Sequence, residues 1–235
     1  MKTRFYERTA YKLSEQPVPP CFLKLDDHFD ANLTVTRGDY THIGVLLAES
    51  ICSRMADIEM YAFLIEDARK RYGLERDGDA KAVVLTRSFL IGYLGACRSL
   101  LEVGAVALVT LYRLPVNTDE RSFINANFWQ QLVTVAPNVH RRYHPLRLFF
   151  HELFRWSNES AARIPPLLVS YTQFGQFSSR EMHLKVVDET NPDLAEMTAE
   201  MLRLNWIDPL LLHDRWKPKF LSLCERLCLE IEECI

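Results

Sequence analysis

Apolar positions recur with the period of a helix from Asp39 or Thr41 onward. Ile43, Leu47, Ile51, Met55, Ile58, Tyr61 and Ile65 lead to Tyr72-Gly73 and predict a first long helix of about eight turns. The polar turn Gly73–Asp79 follows, and a second apolar helix is predicted from about Ala80 to Arg113, closed by Pro115. Two long helices joined by a short turn predict an antiparallel pair. The run Ser88–Leu114 contains Arg98, Glu102 and Arg113, which argues for a buried central helix over a membrane span. Asn117–Ala136 reads as a polar turn and a short helix through Phe128, Trp129, Leu132 and Val133, interrupted by Pro137. A third substantial helix is predicted to start between His140 and His144, with Pro145 in its first turn, and to end near Ala162. Its apolar face is Leu146, Phe149, Phe150, Leu153, Phe154 and Trp156.

Beyond Pro165-Pro166 the pattern turns β-like. Leu167–Thr172, a turn at Gly175 and Met182–Val187 predict a small hairpin or extended cover. Asn191-Pro192-Asp193 has the residues of a helix start, with a helix reaching about Leu204. A final amphipathic helix is predicted over Arg215–Glu233. At the other end, Pro17, Pro19 and Pro20 and a short alternation at Ala31–Thr36 make residues 1–38 an irregular arm draped over the core. The predicted architecture is all-α: an up-down helical bundle over 39–235 with two long antiparallel helices, plus a small extended or β-hairpin appendage.

The chain has 235 residues, 48% of them hydrophobic, enough for one sizeable core. Its net charge of −3 advertises no global field for nucleic acid, so an anionic partner requires a local patch. The N-terminus has no hydrophobic signal core and the six cysteines sit mostly in apolar helical patterns; both point to a cytoplasmic protein without a membrane segment. Cys224 and Cys228 are one helical turn apart and Cys234 follows, but structural zinc draws four ligands from clustered pairs. These read as core thiols, with no metal or other cofactor expected. There is no Gly-x-Ser-x-Gly elbow and no phosphate-cradling glycine loop among the 8 glycines, which argues against a hydrolase triad or nucleotide-hydrolysing fold.

Two regions carry chemistry. The densest positive stretch runs His140-Arg141-Arg142-Tyr143-His144-Pro145-Leu146-Arg147, with His151 four residues further on. It suits a phosphate or polynucleotide backbone, or equally a solvated helix start whose arginine stems cover apolar neighbours. The stretch His151–Pro166, HELFRWSNESAARIPP, places Arg155, Asn158 and Glu159 on adjacent turns before a Pro-Pro stop.

From about Asp39 to the C-terminus the chain resembles HEPN-type proteins, helical bundles found among prokaryotic toxins and defence ribonucleases. The resemblance lies in the two long apolar helices, RSFLIGYLGACRSLLEVGAVAL above all, in Asn127-Phe128-Trp129, in a helix ending ARIPPLLV, and in the late amphipathic helix. It implies a homodimer that cleaves RNA without a metal through an arginine followed, after four to six residues, by a histidine. The histidine assists attack of the ribose 2′-hydroxyl and the arginine steadies the phosphorane. Here Arg155 stands at the arginine position, followed by Trp156 where a polar residue is expected, and Ala162 occupies the place of the histidine. An alanine exchanges no proton. Either this member is naturally silent, or the motif aligns elsewhere, or the position carries a deliberate change.

On this reading Arg155 binds phosphate and Asn158 and Glu159 line the groove. Arg141, Arg142, Arg147, His151 and Arg163 supply RNA contacts, and Ala162 marks the lost acid/base. Arg37 and His42 have the motif spacing too but sit where a helix cap is expected, with Asp39 or Thr41 as capping side chain. The alternative is a non-catalytic binding or regulatory protein, antitoxin-like, with Trp129, Phe149, Phe150 and Trp156 lining a ligand or partner site. RNA binding predicts that Arg141, Arg142, Arg147 and Arg155 converge on one open groove; a partner module predicts a contiguous apolar patch.

Overall fold

A computed structural model of the chain describes residues 8–32, 42–72, 78–162, 167–171, 181–185 and 206–234. Helices dominate: α1 (Arg8–Leu13), α2 (Pro20–Asn32), α3 (Ile43–Tyr72), α4 (Gly78–Tyr112), α5 (Ala126–Val135), α6 (Pro137–Tyr143), α7 (Arg147–Ala162) and α8 (Pro209–Cys234). Three short strands, β1 (Leu167–Tyr171), β2 (Glu181–Lys185) and β3 (Trp206–Ile207), pair antiparallel in that order. Val169 lies opposite His183, and Leu184 opposite Ile207. The predicted turn at Gly175 and the predicted helix from Asn191 to Leu204 lie outside the described residues.

α4 is the axis of the bundle, packing on α3, α7 and α8. Its buried residues Leu90, Tyr93, Leu94, Cys97, Leu101 and Leu108 repeat at helical spacing, which aims one stripe at the core. At Gly104 the neighbours close in: a Cβ there would stand 3.1 Å from Leu227 and 3.2 Å from Phe123. Val84–Tyr112 is, among the described residues, the one helical stretch long and apolar enough to cross a membrane, and 56% of its most apolar window is buried inside the molecule. That burial is what a core helix shows.

The N-terminal segment departs from the expectation of an irregular arm. Residues 8–32 hold two helices, and Tyr11, Phe22, Leu25 and Phe29 join the same continuous core as α3, α4 and α8. The prolines that suggested irregularity open a helix instead. Pro20 sits at the first helical position, where a missing N–H costs nothing, and α2 then packs on α3 and α8.

Between α4 and α7 the chain is organised around Phe123, which is fully buried. Its ring lies 4.3 Å from Phe150 and 5.4 Å from Phe128, and its carbonyl accepts a 2.7 Å hydrogen bond from the Trp129 indole. Asn125 starts α5 by accepting from the Asn127 and Phe128 amides at 2.8 and 3.3 Å, a standard use of asparagine at a helix N-terminus. The predicted third helix is two helices. α6 spans Pro137–Tyr143, a 3-10 turn covers His144–Leu146 around Pro145, and α7 begins only at Arg147. α8 starts six residues before the predicted Arg215 and runs through Pro218.

Two helices end on non-glycine residues in the left-handed region, Glu15 (φ 56°) and Arg113 (φ 50°). In each case the following amide bonds back across the last turn, Gln16 N to Tyr11 O at 3.0 Å and Leu114 N to Val109 O at 3.0 Å. This closure is the one glycine normally serves.

Two stability changes follow from this packing. Phe22→Ala will lower the unfolding free energy by about 3–5 kcal/mol, the range for a buried phenylalanine, measured by urea denaturation; a loss near zero would return residues 8–32 to a peripheral arm. Arg113→Gly will raise stability by about 0.5–1 kcal/mol, because relief of left-handed strain exceeds the entropy that glycine adds to the unfolded chain, and an unchanged denaturation midpoint would refute it.

Candidate functional site

α7 turns His151 and Arg155 outward one helical turn apart, with Glu152 and Trp156 alongside them at the same spacing. α8 closes the space from the other side. Arg215 and Lys219 flank the Glu152 carboxylate: Arg215 donates a close hydrogen bond to Oε1, and Lys219 Nζ stands 3.9 Å from Oε2. The Trp216 indole also donates to Glu152 Oε1, at 3.3 Å. His151, Glu152, Arg155, Trp156 and Arg215 line a cavity of about 400 Å³.

Glu152 organises this site. Its carboxylate is only 22% exposed, and it meets two donors from α8, so α7 is tied to α8 beside the opening. Trp156 is half-buried and set edge-on to the fully buried Trp216, ring centroids 6.0 Å apart at 84°. The lining then holds two guanidinium groups and one imidazole against a single carboxylate, beside an indole. A phosphate or other oxyanion matches the guanidinium donors, and a flat ring matches the indole. Among the described lining residues, the groups able to transfer a proton are the exposed His151 imidazole and the Glu152 carboxylate, which is engaged by Arg215 and Trp216.

The positive residues predicted to converge do so only in part. His151 and Arg155 share the cavity. Arg142 is engaged elsewhere, holding Glu233 through both terminal nitrogens at 3.2 and 2.9 Å and lying 3.2 Å from the buried Glu230. About 27 Å of helix axis separates residues 215 and 233 of α8, so Arg142 and Arg155 serve different ends of the bundle. Arg141 binds Asn138 at 2.6 Å on the surface, and the Arg147 guanidinium lies 5.8 Å from the Trp129 ring centroid. The single groove containing Arg141, Arg142, Arg147 and Arg155 is therefore not formed. Asn158, Glu159 and Ala162 fall in the last turns of α7 with their side chains outside the described set, and Arg163 lies outside the described residues altogether.

The histidines divide as the chain bends at Pro145. His140 and His144 sit with rings 5.2 Å apart, both edge-on to Trp129, whereas His151 belongs to the cavity. Of the aromatics considered as a ligand wall, Trp129, Phe149 and Phe150 are core residues, and Trp156 alone lines the cavity. Sequence reasoning missed Glu152 and Arg215. The second is 60 positions from Arg155 in the chain, and nothing local to it signals the pairing.

Burial, together with the positive charges of His144 and Arg147, lowers the His140 pKa below its ordinary 6.5. Folding therefore keeps His140 neutral where the unfolded chain would take up a proton, so stability falls as pH drops below about 6.5. Urea midpoints between about pH 7 and 5 will fall less steeply in His140→Gln than in the parent chain, and parallel slopes would show that His140 contributes nothing.

No protein-family model, characterised protein or solved structure matches this chain.

Proposed function

We propose that the chain is a HEPN-type RNA-binding bundle: a metal-independent endoribonuclease, or its silent relative, in which Ala162 stands where the proton-transferring histidine belongs. The observation that carries the reading is the cavity that gathers Arg155, Arg215, His151 and Trp156 from α7 and α8. The two arginines hold a backbone phosphate and the indole stacks on a neighbouring base, the combination by which proteins grip single strands. The overall acidity of the chain is no obstacle, because the local lining is net positive. The alanine removes acid/base chemistry while leaving binding intact.

The proposal includes an up-down bundle with α3 and α4 antiparallel, supported by Tyr61, whose ring lies against Gly92. It also includes a homodimer in the cytoplasm, with a protein antitoxin or regulatory partner controlling it. RNA is the ligand and no cofactor takes part.

Fluorescence anisotropy with a single-stranded RNA, in the presence of a metal chelator, tests the reading. Arg155→Ala and Arg215→Ala will each weaken binding about tenfold and each lower the salt slope by about one. Ala162→His will cleave the RNA in chelator, and Ala162→His/Arg155→Ala will not. Absence of RNA binding by the parent chain, together with silence of the histidine variant, overturns the proposal.

A further inference from the structure

A second cavity, of about 300 Å³, opens between α3, α8 and the turn joining α1 to α2. Its charges are already paired: Lys217 Nζ donates to Glu59 Oε2 at 3.0 Å and to Gln16 Oε1 at 2.8 Å, and Lys70 holds Glu66 at 2.6 Å. Tyr11, a neighbour of Glu59, leads from this cavity to a group of thiols, Cys21, Cys52 and Cys224. Together with Cys228 they come from α2, α3 and α8, and all four are buried and unbridged. Among the described residues no three His, Cys, Asp or Glu side chains are grouped to hold a metal ion, which leaves the chemistry of sulfur itself.

The four thiols are not equivalent. Burial pushes Cys52 and Cys224 well up, which keeps them protonated and unreactive at neutral pH. Cys21 goes the other way. Cys228 donates a hydrogen bond to its sulfur, and this bond holds the Cys21 thiol below the usual cysteine value against the opposing effects of burial and Glu225. The Phe22 amide and the Cys21 amide, both in the first turn of α2, add to the effect, since a helix N-terminus favours a thiolate. The same thiol–thiol bond, with burial, raises Cys228, which keeps the shared proton. A nucleophile on α2 and a proton donor on α8 are thus in contact. Cys21 is also the outermost of the four, 9% exposed against 2% or less for the others. So narrow an opening suits an oxidant of the size of hydrogen peroxide and not a bulky disulfide.

We infer that Cys21 and Cys228 are a peroxide-responsive thiol pair that closes to a disulfide between α2 and α8. The Cys21 thiolate attacks one oxygen of hydrogen peroxide. The O–O bond breaks, Cys21 becomes a sulfenic acid, and the departing hydroxide takes a proton to become water. The Cys228 sulfur then attacks the Cys21 sulfur; the S–S bond forms as the S–O bond breaks, and the hydroxyl leaves as a second water with the Cys228 proton. Two thiols lose two electrons and one peroxide gains them. A dithiol reductant reverses the change by exchange. Residues 21 and 228 stand near opposite ends of the chain, so the bridge closes almost all of it into one loop and stabilises the fold by restricting the unfolded state. The pair is separate from the α7–α8 cavity and does not rest on the RNA reading.

The test treats the reduced full chain with hydrogen peroxide under native conditions, alkylates every remaining thiol with N-ethylmaleimide in denaturant, and maps the peptides by mass spectrometry. The expected product is a Cys21–Cys228 cross-linked peptide, lighter by two hydrogens than its reduced parts and lost on treatment with dithiothreitol. The bridged chain will melt about 5–10 °C above the reduced one. Cys228→Ala removes the second thiol, so the sulfenic acid persists at Cys21 and is labelled there by dimedone; Cys21→Ala gives neither that label nor a bridge to Cys228. The map of the parent chain decides the matter if a variant fails to fold. A first bridge from Cys21 to Cys52 or Cys224, or oxidation confined to the exposed Cys234 while Cys21 and Cys228 both take maleimide, would overturn the inference.

Discussion

Trp216 is the residue on which both cavities depend. It has no exposed surface, so its indole N–H must find a partner inside the protein or leave a donor orphaned at a cost of about 1–3 kcal/mol. Glu152 is that partner. Meeting this requirement draws a carboxylate from α7 to the edge of the core, and the same carboxylate then receives Arg215. On its other side the indole ring lies parallel to Tyr93, 6.3 Å between centroids and 5° between planes. Tyr93 in turn carries the hydrogen bond to His213. One buried aromatic thus sets the separation of α4, α7 and α8 and supports a polar site at each edge.

The far end of α8 is held by a different device. Glu230 is wholly buried, accepts a short hydrogen bond from the Tyr112 hydroxyl and lies against Arg142. Burial still raises its pKa above the ordinary carboxylate value, although the tyrosine and the arginine oppose the shift. Arg142 is therefore a structural residue as well as a basic one. It clamps α6 to the last turns of α8, and the charge counted in the sequence as part of a basic patch is largely neutralised by Glu230 and Glu233. A run of basic letters measures field only where the acids opposite are absent, and those acids come from a helix some 90 positions away.

The long helices α3 and α4 were legible because their apolar stripes repeat over many turns, and Gly73, Asp77-Gly78-Asp79 and Pro115 mark their ends. α2 was not, although Phe22, Leu25 and Phe29 are spaced as a helix face. Three nearby prolines outweighed a pattern barely two turns long. The first six residues of α8, from Pro209, were missed although the predicted helix already ran through Pro218. The start of α8 is secured by distant groups: Asp208 accepts from the Leu210 amide at 2.8 Å while Arg69 of α3 grips both its oxygens at 2.9 Å. At the site, Arg155 and His151 could be read from their spacing on one helix. Glu152, Arg215, Glu59 and Lys217 could not, because charged side chains at ordinary helical positions look solvated until another helix is packed against them.

The geometry of α8 explains how one helix serves two cavities without mixing them. At about 100° per residue, His213, Lys217 and Asp214 fall within one arc of the helix, and Arg215, Lys219 and Trp216 within the opposite one. The first arc meets Glu59 on α3; the second meets Glu152 on α7. Each cavity has a carboxylate on the facing helix and a cation on α8, yet their linings differ in balance. Beside Glu152 two arginines face one acid. Beside Glu59 the charges pair off, Glu59 with Lys217 and Glu66 with Lys70. A change at Trp216 disturbs the packing behind both sites, whereas changes at Asp214 or Arg215 act on one arc each, because consecutive side chains leave the helix about 100° apart.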